Sequence, residues 1–147
     1  MSAERLAKRM VLLLALVSAS AAVRAAPGPT LTEVLAQRSG LTPPEVASLL
    51  SSCDANPTSM RFCAWRDQLI AERRLQQLID EKRTASPKCA AALAQKLAAW
   101  QKRRDQTCKQ STIRQWGDGS MLSAAEAMCQ TDRTKQMTQS LSANTCP

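Results

Sequence analysis

Six cysteines, all in the C-terminal two-thirds of the chain, constrain its fold more than any other sequence feature. An even number of cysteines with no C-x-x-C pair predicts three disulfides rather than a metal or redox site. Cys89 and Cys108 are 19 residues apart, and Cys129 and Cys146 are 17 apart. Two antiparallel helices joined by a turn near residue 118 would therefore place Cys108 opposite Cys129 and Cys89 opposite Cys146.

The two remaining cysteines, Cys53 and Cys63, would close a short loop. Six cysteines allow fifteen connectivities, and the matched spacing on the two helices favours this one. The predicted fold is all-α, a small disulfide-stapled helical bundle built on three main helices with two short N-terminal helices. The chain has three Trp, one Phe and no Tyr, so we expect the disulfides to supply much of its stability.

The N-terminal segment has the pattern of a signal peptide. Three basic residues precede an apolar run over residues 10–22, and Val23 and Ala25 supply small side chains before a cleavage site at Ala26. The strongly apolar part is much shorter than the roughly 20 residues that span a bilayer. We therefore expect a periplasmic or secreted bacterial protein that does not span the membrane.

Periodicity and chain-breaking residues divide the mature chain into five helical segments. They are predicted at residues 30–39, 43–52, 60–83, 88–115 and 120–141. We expect Thr32, Thr42 and Ser120 to cap the first, second and last segments, because their hydroxyls can accept from backbone N–H groups at a helix start. The predicted organisation is a signal peptide (1–25), an N-terminal helical extension (26–52) and a helical domain (53–147).

The segment at 88–115 carries one inward-facing stripe, formed by Cys89, Leu93, Leu97, Trp100, Arg104 and Cys108. Arg104 falls in the middle of this stripe, and Glu72 takes the corresponding place on the preceding helix. A buried charge is tolerated only when paired, so we expect a bidentate Glu72–Arg104 ion pair, with Asp105 as an acceptor from the edge only. The alternative is an exposed Arg104 offered to a carboxylate of a target enzyme. On the last helix, the buried face is expected to start with Met121, Ala125, Met128 and Cys129.

A longer motif includes these residues. The centre of the motif is Trp100-x-x-x-Arg104-Asp105-x-x-Cys108. Before it come Cys53, Cys63, Glu72, Leu75 and Gln76, and after it come Gly119, Ser120, Cys129, Thr134 and Leu141. This pattern resembles the N-terminal domain of LprI-type lysozyme inhibitors, small exported cysteine-rich helical proteins, over residues 53–141. The chain departs from the family at Met137, where an Arg is usual, and lacks the usual aromatic residue after Gln76. A partner contact made by either group would be lost here.

The resemblance implies a binding protein, since a namesake member of the family inhibits lysozyme. The best candidate for a loop that enters an enzyme cleft is the turn near residue 118, with Arg114, Trp116, Asp118 and Ser120. The alternative is that Gly119 and Ser120 only turn the chain and cap the next helix.

Composition weighs against catalysis. The chain has no His, which removes the commonest general base and metal ligand. Asp67, Glu72 and Asp105 could supply a glycosidase pair, but their spacing singles out no cleft. Six cysteines pair without remainder, so no free thiol is expected. We therefore predict no catalytic residues, no metal and no cofactor.

Charge suggests the possible partners. After removal of the signal, 16 basic and 11 acidic residues remain, a net charge of +5. Basic residues on the two long helices could face anionic lipids, wall polymers or an acidic protein, or could simply be solvated. These basic residues are Arg73, Arg74, Lys82, Arg83, Lys102, Arg103, Arg104 and Lys109. Nucleic acid is not an expected partner outside the cell. The alternative to an inhibitor is a periplasmic helical chaperone or envelope stress protein.

Overall fold

In this computed structural model, residues 28–143 are described, and that part of the chain is helical without strands, which confirms the all-α prediction. Its elements are α1 (Leu31–Ser39), α2 (Pro43–Leu50), α3 (Pro57–Ala85), a short 3-10 helix (Pro87–Cys89), α4 (Ala90–Trp116) and α5 (Leu122–Ala143). None of these helices is long and apolar enough to cross a bilayer. The predicted signal peptide (1–25) lies outside the described residues.

The starts of α1 and α2 are capping boxes. Glu33 Oε2 accepts from the backbone N–H of Thr30 at 2.7 Å, and the N–H of Glu33 donates to Thr30 Oγ1 at 3.2 Å. The cap of α1 is therefore Thr30, and the prediction of Thr32 was wrong, because only Thr30 has an acidic residue three positions later. At α2, Glu45 Oε2 accepts from the backbone N–H of Thr42 at 2.7 Å.

The two long helices end where the sequence breaks them. Asn56 caps α3 by accepting from the N–H of Ser59 at 2.9 Å, and Ser86-Pro87 ends it because proline cannot continue the hydrogen-bond ladder. Gly117 ends α4 with a φ of 61°, a left-handed conformation that favours glycine. The chain then reverses, and α5 begins at Leu122, so the prediction that Ser120 caps α5 was also wrong.

The helix α3 packs most extensively on α5, to which it runs parallel, while α4 packs antiparallel on α5. The core shared by all three contains the buried side chains of Leu75, Ile79, Leu93 and Leu141. At the other end of α3, a second cluster joins α1 and α2 to the bundle through Leu35, Ala36, Val46 and Phe62. The short helices therefore rest on the N-terminal half of α3.

Two predicted disulfides are present. Cys53–Cys63 ties the segment after α2 to α3 with a Cα–Cα distance of 5.7 Å, and Cys108–Cys129 joins α4 to α5 at 5.6 Å. Cys89 is also disulfide-bonded. Its predicted partner, Cys146, lies outside the described residues, so the third pairing stays a prediction.

The buried face of α5 is the main correction to the sequence analysis. Met128, expected inside, is 59% exposed, and small or polar side chains form the face instead. These are Ala124, Ala127, Gln130, Thr131 and Thr134. Small side chains allow α3 to approach closely, and the hydroxyls of Thr131 and Thr134 donate to backbone carbonyls four residues earlier at 2.8 and 2.7 Å. Their polarity is thereby satisfied within the helix.

Candidate functional site

Arg104 lies in the middle of α4 and is only 6% exposed. Its Nη1 lies 3.1 Å from Glu72 Oε1 on α3 and donates to Thr134 Oγ1 on α5 at 2.9 Å. Its Nε donates to Asp105 Oδ1 at 2.8 Å, and its guanidinium carbon lies 5.2 Å from the Trp100 ring centroid. One side chain thus connects all three main helices.

The structure brings Glu72 and Arg104 together, but their arrangement differs from the expected bidentate buried pair. The Glu72 side chain is 33% exposed, because it lies in the wall of an open groove between α3 and α4. Asp105 makes the shorter contact with Arg104, although only an edge contact was expected from it. The guanidinium thus contacts Glu72 on α3, Asp105 on α4 and Thr134 on α5. Helical periodicity did not predict the contact with Thr134, although Thr134 is a motif position.

A second polar contact extends this network along the α3–α5 interface. The buried Gln68 donates from Nε2 to Gln130 Oε1 at 2.5 Å and to Glu72 Oε1 at 3.2 Å. Gln130 in turn donates to Glu126 Oε1 at 3.4 Å. Glu72 accepts a hydrogen bond from Gln68 and forms an ion pair with Arg104, and so joins the two sets of contacts. Buried polar pairs of this kind favour one register between helices over its neighbours.

Half of the motif residues outside the turn are buried. Cys108, Thr134 and Leu141 are fully or almost fully buried, and Leu75 is part of the same core. Met137 packs against that core at the position where the family usually carries an arginine. These positions hold the bundle together rather than present a surface to a partner.

The turn between α4 and α5 has the opposite character. We call residues 113–120 the hairpin tip, and every residue in it is exposed. Trp116 is 49% and Ile113 45% exposed, so the tip presents two large apolar side chains close together in sequence. The predicted loop residues Arg114, Asp118 and Ser120 lie beside them. The Cys108–Cys129 disulfide crosslinks the two helices that carry the tip.

The motif therefore divides between two places. Trp100, Arg104 and Asp105 lie near the middle of α4, whereas Gly119 and Ser120 lie in the hairpin tip. The 12 residues from Arg104 to Trp116 correspond to about 18 Å along a helix. The structure does not bring the two halves of the motif into one site.

The basic surface in the structure differs from the one that the sequence predicted. Arg104 is buried and cannot contribute to it, whereas Lys102, Arg103 and Lys109 on α4 are exposed. A groove of about 490 Å³ lies between α3 and α4, with Arg73 and Arg83 along one side and Leu97 on the other. The positive charge is thus distributed along this groove and the outer face of α4.

A cluster of aromatic and basic side chains lies where α1 meets α3 and was not predicted from the sequence. The guanidinium carbon of Arg38 lies 4.5 Å from the Trp65 ring centroid, and that of Arg61 lies 5.2 Å from it. Phe62 packs against Trp65 with ring centroids 5.3 Å apart. The i, i+4 spacing of Arg61 and Trp65 was the available signal, because such residues are neighbours on a helix. The contribution of Arg38 depends on how α1 folds back and has no local signal.

The fold and the interior contacts define a small, disulfide-stapled helical-bundle protein with an exposed aromatic residue at the end of its main hairpin. The chain belongs to the lysozyme inhibitor LprI family, whose family model matches residues 52–141. No curated protein and no solved structure matches the chain. The match includes α3, α4 and all but the last two residues of α5, and leaves out α1 and α2.

Proposed function

We propose that this protein is an exported, non-catalytic binding protein that inhibits a lysozyme through its hairpin tip. The observation that carries the proposal is the half-exposed Trp116 at a disulfide-crosslinked turn, in a chain of an inhibitor family. The predicted signal peptide and the disulfides support export, because disulfides persist in oxidising compartments.

The tip has the properties of an inhibitory loop. Tryptophan is among the residues that most often dominate binding energy when a partner covers them. Gly117 fixes the turn, and the crosslink limits movement between α4 and α5, so little conformational entropy is lost on binding. Arg114 adds a planar donor that can pair with a carboxylate. Lysozymes carry two catalytic carboxylates in their cleft, which is the acceptor such a residue would meet.

Charge predicts which lysozymes bind best. The mature chain is basic, so a strongly basic lysozyme would be repelled at long range, and an acidic or neutral one would not. We therefore expect the affinity to rank lysozymes in inverse order of their net charge. For a basic lysozyme, added salt should strengthen binding because it screens the repulsion.

The arrangement of carboxylates supports a non-catalytic role. Glu72 and Asp105, the nearest approach to a glycosidase pair, both bind the same guanidinium of Arg104. Glycoside hydrolysis uses two carboxyl groups that flank the scissile bond, whereas these two carboxylates both face the same arginine. The family assignment points in the same direction, since it is a family of inhibitors.

The test is an inhibition assay on a panel of lysozymes with cell-wall suspensions as substrate. The wild-type protein should slow lysis by at least one of them, and Trp116→Ala should weaken inhibition about tenfold or more. Met128→Ala is the matched control, because Met128 is an equally exposed apolar residue on the same hairpin but outside the tip. Equal losses in both variants would remove the tip as the contact.

The chaperone or stress-protein alternative makes a different prediction. Such a protein would suppress aggregation of unfolded client proteins and would expose more apolar surface at low pH, whereas an inhibitor keeps a closed fold. Aggregation assays with the same variants, together with binding of a hydrophobic dye across the acidic range, separate the two functions. Suppressed aggregation without inhibition of any lysozyme would favour the chaperone.

A further inference from the structure

The cluster formed by Arg38, Arg61 and Trp65, which we call the arginine–tryptophan cluster, is an unusual feature of this surface. The guanidinium carbons of Arg38 and Arg61 lie 4.5 Å and 5.2 Å from the centroid of the same indole ring, so the two groups are also close to each other. Arg38 is exposed at the end of α1, and Arg61 is half-buried near the start of α3. The cluster depends on α1, which lies outside the family match.

Neither arginine is neutralised within the described part of the chain. Residues 28–143 contain four ion pairs, and neither Arg38 nor Arg61 takes part in any of them. The Nε of Arg61 is buried and has no hydrogen-bond partner. Arg66, one turn further along α3, is by contrast paired with Asp67 at 2.9 Å. Stacking on Trp65 uses the guanidinium faces and leaves the Nη N–H groups for other partners.

Arg104 provides the internal comparison. It is an arginine stacked near a tryptophan as well, and its donors are taken up by Glu72, Asp105 and Thr134. A buried donor without an acceptor destabilises the folded state, because it has lost its hydrogen bonds to water. The buried donors of Arg104 have acceptors, whereas among the described residues no atom accepts from the buried Nε of Arg61.

We propose that the arginine–tryptophan cluster binds carboxylate side chains of an acidic segment of a partner protein. The Nη N–H groups of Arg38 and Arg61 are donors that suit the planar geometry of carboxylates. Arginine beside a half-buried tryptophan is also a combination typical of protein interfaces. Two charges alone would hold the protein only weakly on an anionic bilayer, which favours a protein over a membrane surface as the partner. The proposal goes beyond lysozyme inhibition and does not depend on it.

The test measures the NMR signals of the arginine side chains while an acidic peptide is added. Nitrogen-15 spectra of the oxidised protein resolve arginine Nε–Hε signals, and a hexaglutamate peptide is added at low ionic strength. We expect saturable shifts of the Arg61 and Arg38 signals and no shift of the Arg104 signal, because the donors of Arg104 are already engaged. Arg61→Lys keeps the charge but loses the fork, so it should weaken peptide binding about tenfold.

Matched controls make each outcome decisive. Arg103→Lys, an exposed arginine on α4 outside the cluster, should leave the affinity unchanged, and a hexaglutamine peptide should not bind. Arg38→Lys provides a second variant if Arg61→Lys alters the fold. Equal shifts with inorganic phosphate, or binding to phosphatidylglycerol vesicles but not to the peptide, would overturn the assignment to protein carboxylates. The absence of any saturable shift at Arg61 would overturn the site itself, whatever the lysozyme assays show.

Discussion

At the scale of single residues, Arg104 shows how a charged side chain can be part of a core. Its guanidinium contacts acceptors on α3, α4 and α5, and the Trp100 ring lies beside it. The motif that marks the family therefore includes a residue whose contacts hold three helices in place. Its removal should affect folding before it affects any partner.

Arg104→Ala should destabilise the protein by about 2–3 kcal/mol, because it removes a buried side chain and its hydrogen bonds, while Glu72 and Asp105 are exposed enough to be hydrated. Glu72→Ala should cost less, about 1 kcal/mol, since Glu72 is one-third exposed and Arg104 keeps two other acceptors. Urea unfolding of both single variants and the double variant measures these values. The double variant should be more stable than the sum of the single losses predicts.

The matched control for this series is Arg103→Ala, which removes the neighbouring, exposed arginine of α4. It should change stability by less than about 0.5 kcal/mol. Small, additive losses in the Arg104 series, with inhibition lost only in the arginine variant, would instead mean that Arg104 contacts a partner.

At the scale of elements, the starts of α1 and α2 couple the N-terminal helices to pH. The pKa of Glu33 is lowered below its ordinary value because the backbone N–H and then the hydroxyl of Thr30 donate to its carboxylate. The pKa of Glu45 is lowered in the same way by the hydroxyl and backbone N–H of Thr42. Both carboxylates are more acidic when the helices are formed than in the unfolded chain.

A lowered folded-state pKa gives stability that is present above the ordinary value of 4.5 and lost as the pH falls through the folded-state value. We therefore expect Glu33→Gln and Glu45→Gln to weaken α1 and α2 at neutral pH, with the difference from wild type vanishing in acid. Amide hydrogen exchange in residues 31–50, measured from neutral pH to below pH 4, tests this. A difference from wild type that stays constant across that range would contradict it.

The disulfide between α4 and α5 is predicted to stabilise that hairpin. It closes a loop of 21 residues, for which the chain-entropy estimate is about 3 kcal/mol. The paired variant Cys108→Ala/Cys129→Ala should lose about that much stability, and Cys53→Ala/Cys63→Ala, which opens a loop of 10 residues, somewhat less. Denaturant unfolding of the two paired variants gives the comparison. A larger loss for the shorter loop would show that packing, and not loop length, decides.

The elements also show what the sequence could and could not predict. Helical periodicity correctly predicted that Arg104 is buried and that Cys108 lies opposite Cys129, because these two features depend on residue spacing along helices alone. It failed on α5, where the buried face is small and polar, since Thr131 and Thr134 satisfy their hydroxyls within the helix and carry no apolar signal. The contact of Arg38 with Trp65 could not be predicted either, because it depends on the packing of α1 on α3.

At the scale of the whole molecule, the third disulfide decides how the end of the chain is held. The predicted Cys89–Cys146 bridge would join the start of α4 to the residues after α5. Tryptic mapping without reduction should find the peptide of residues 89–96 linked to that of residues 136–147. If the peptide of residues 89–96 is instead found disulfide-linked to any other cysteine-containing peptide, the predicted Cys89–Cys146 pairing is wrong. Reduced digests serve as the control and should release both peptides separately.

The Cys53–Cys63 bridge lies at the boundary between α1–α2 and the part of the chain that the family model matches. The exposed residues 54–56 that connect α2 to α3 are enclosed by this bridge. A protease that cuts there would leave both fragments covalently joined, and only reduction would release them. The two short helices and the surface they form therefore cannot be shed by nicking this connection, and they persist for as long as the bridge does.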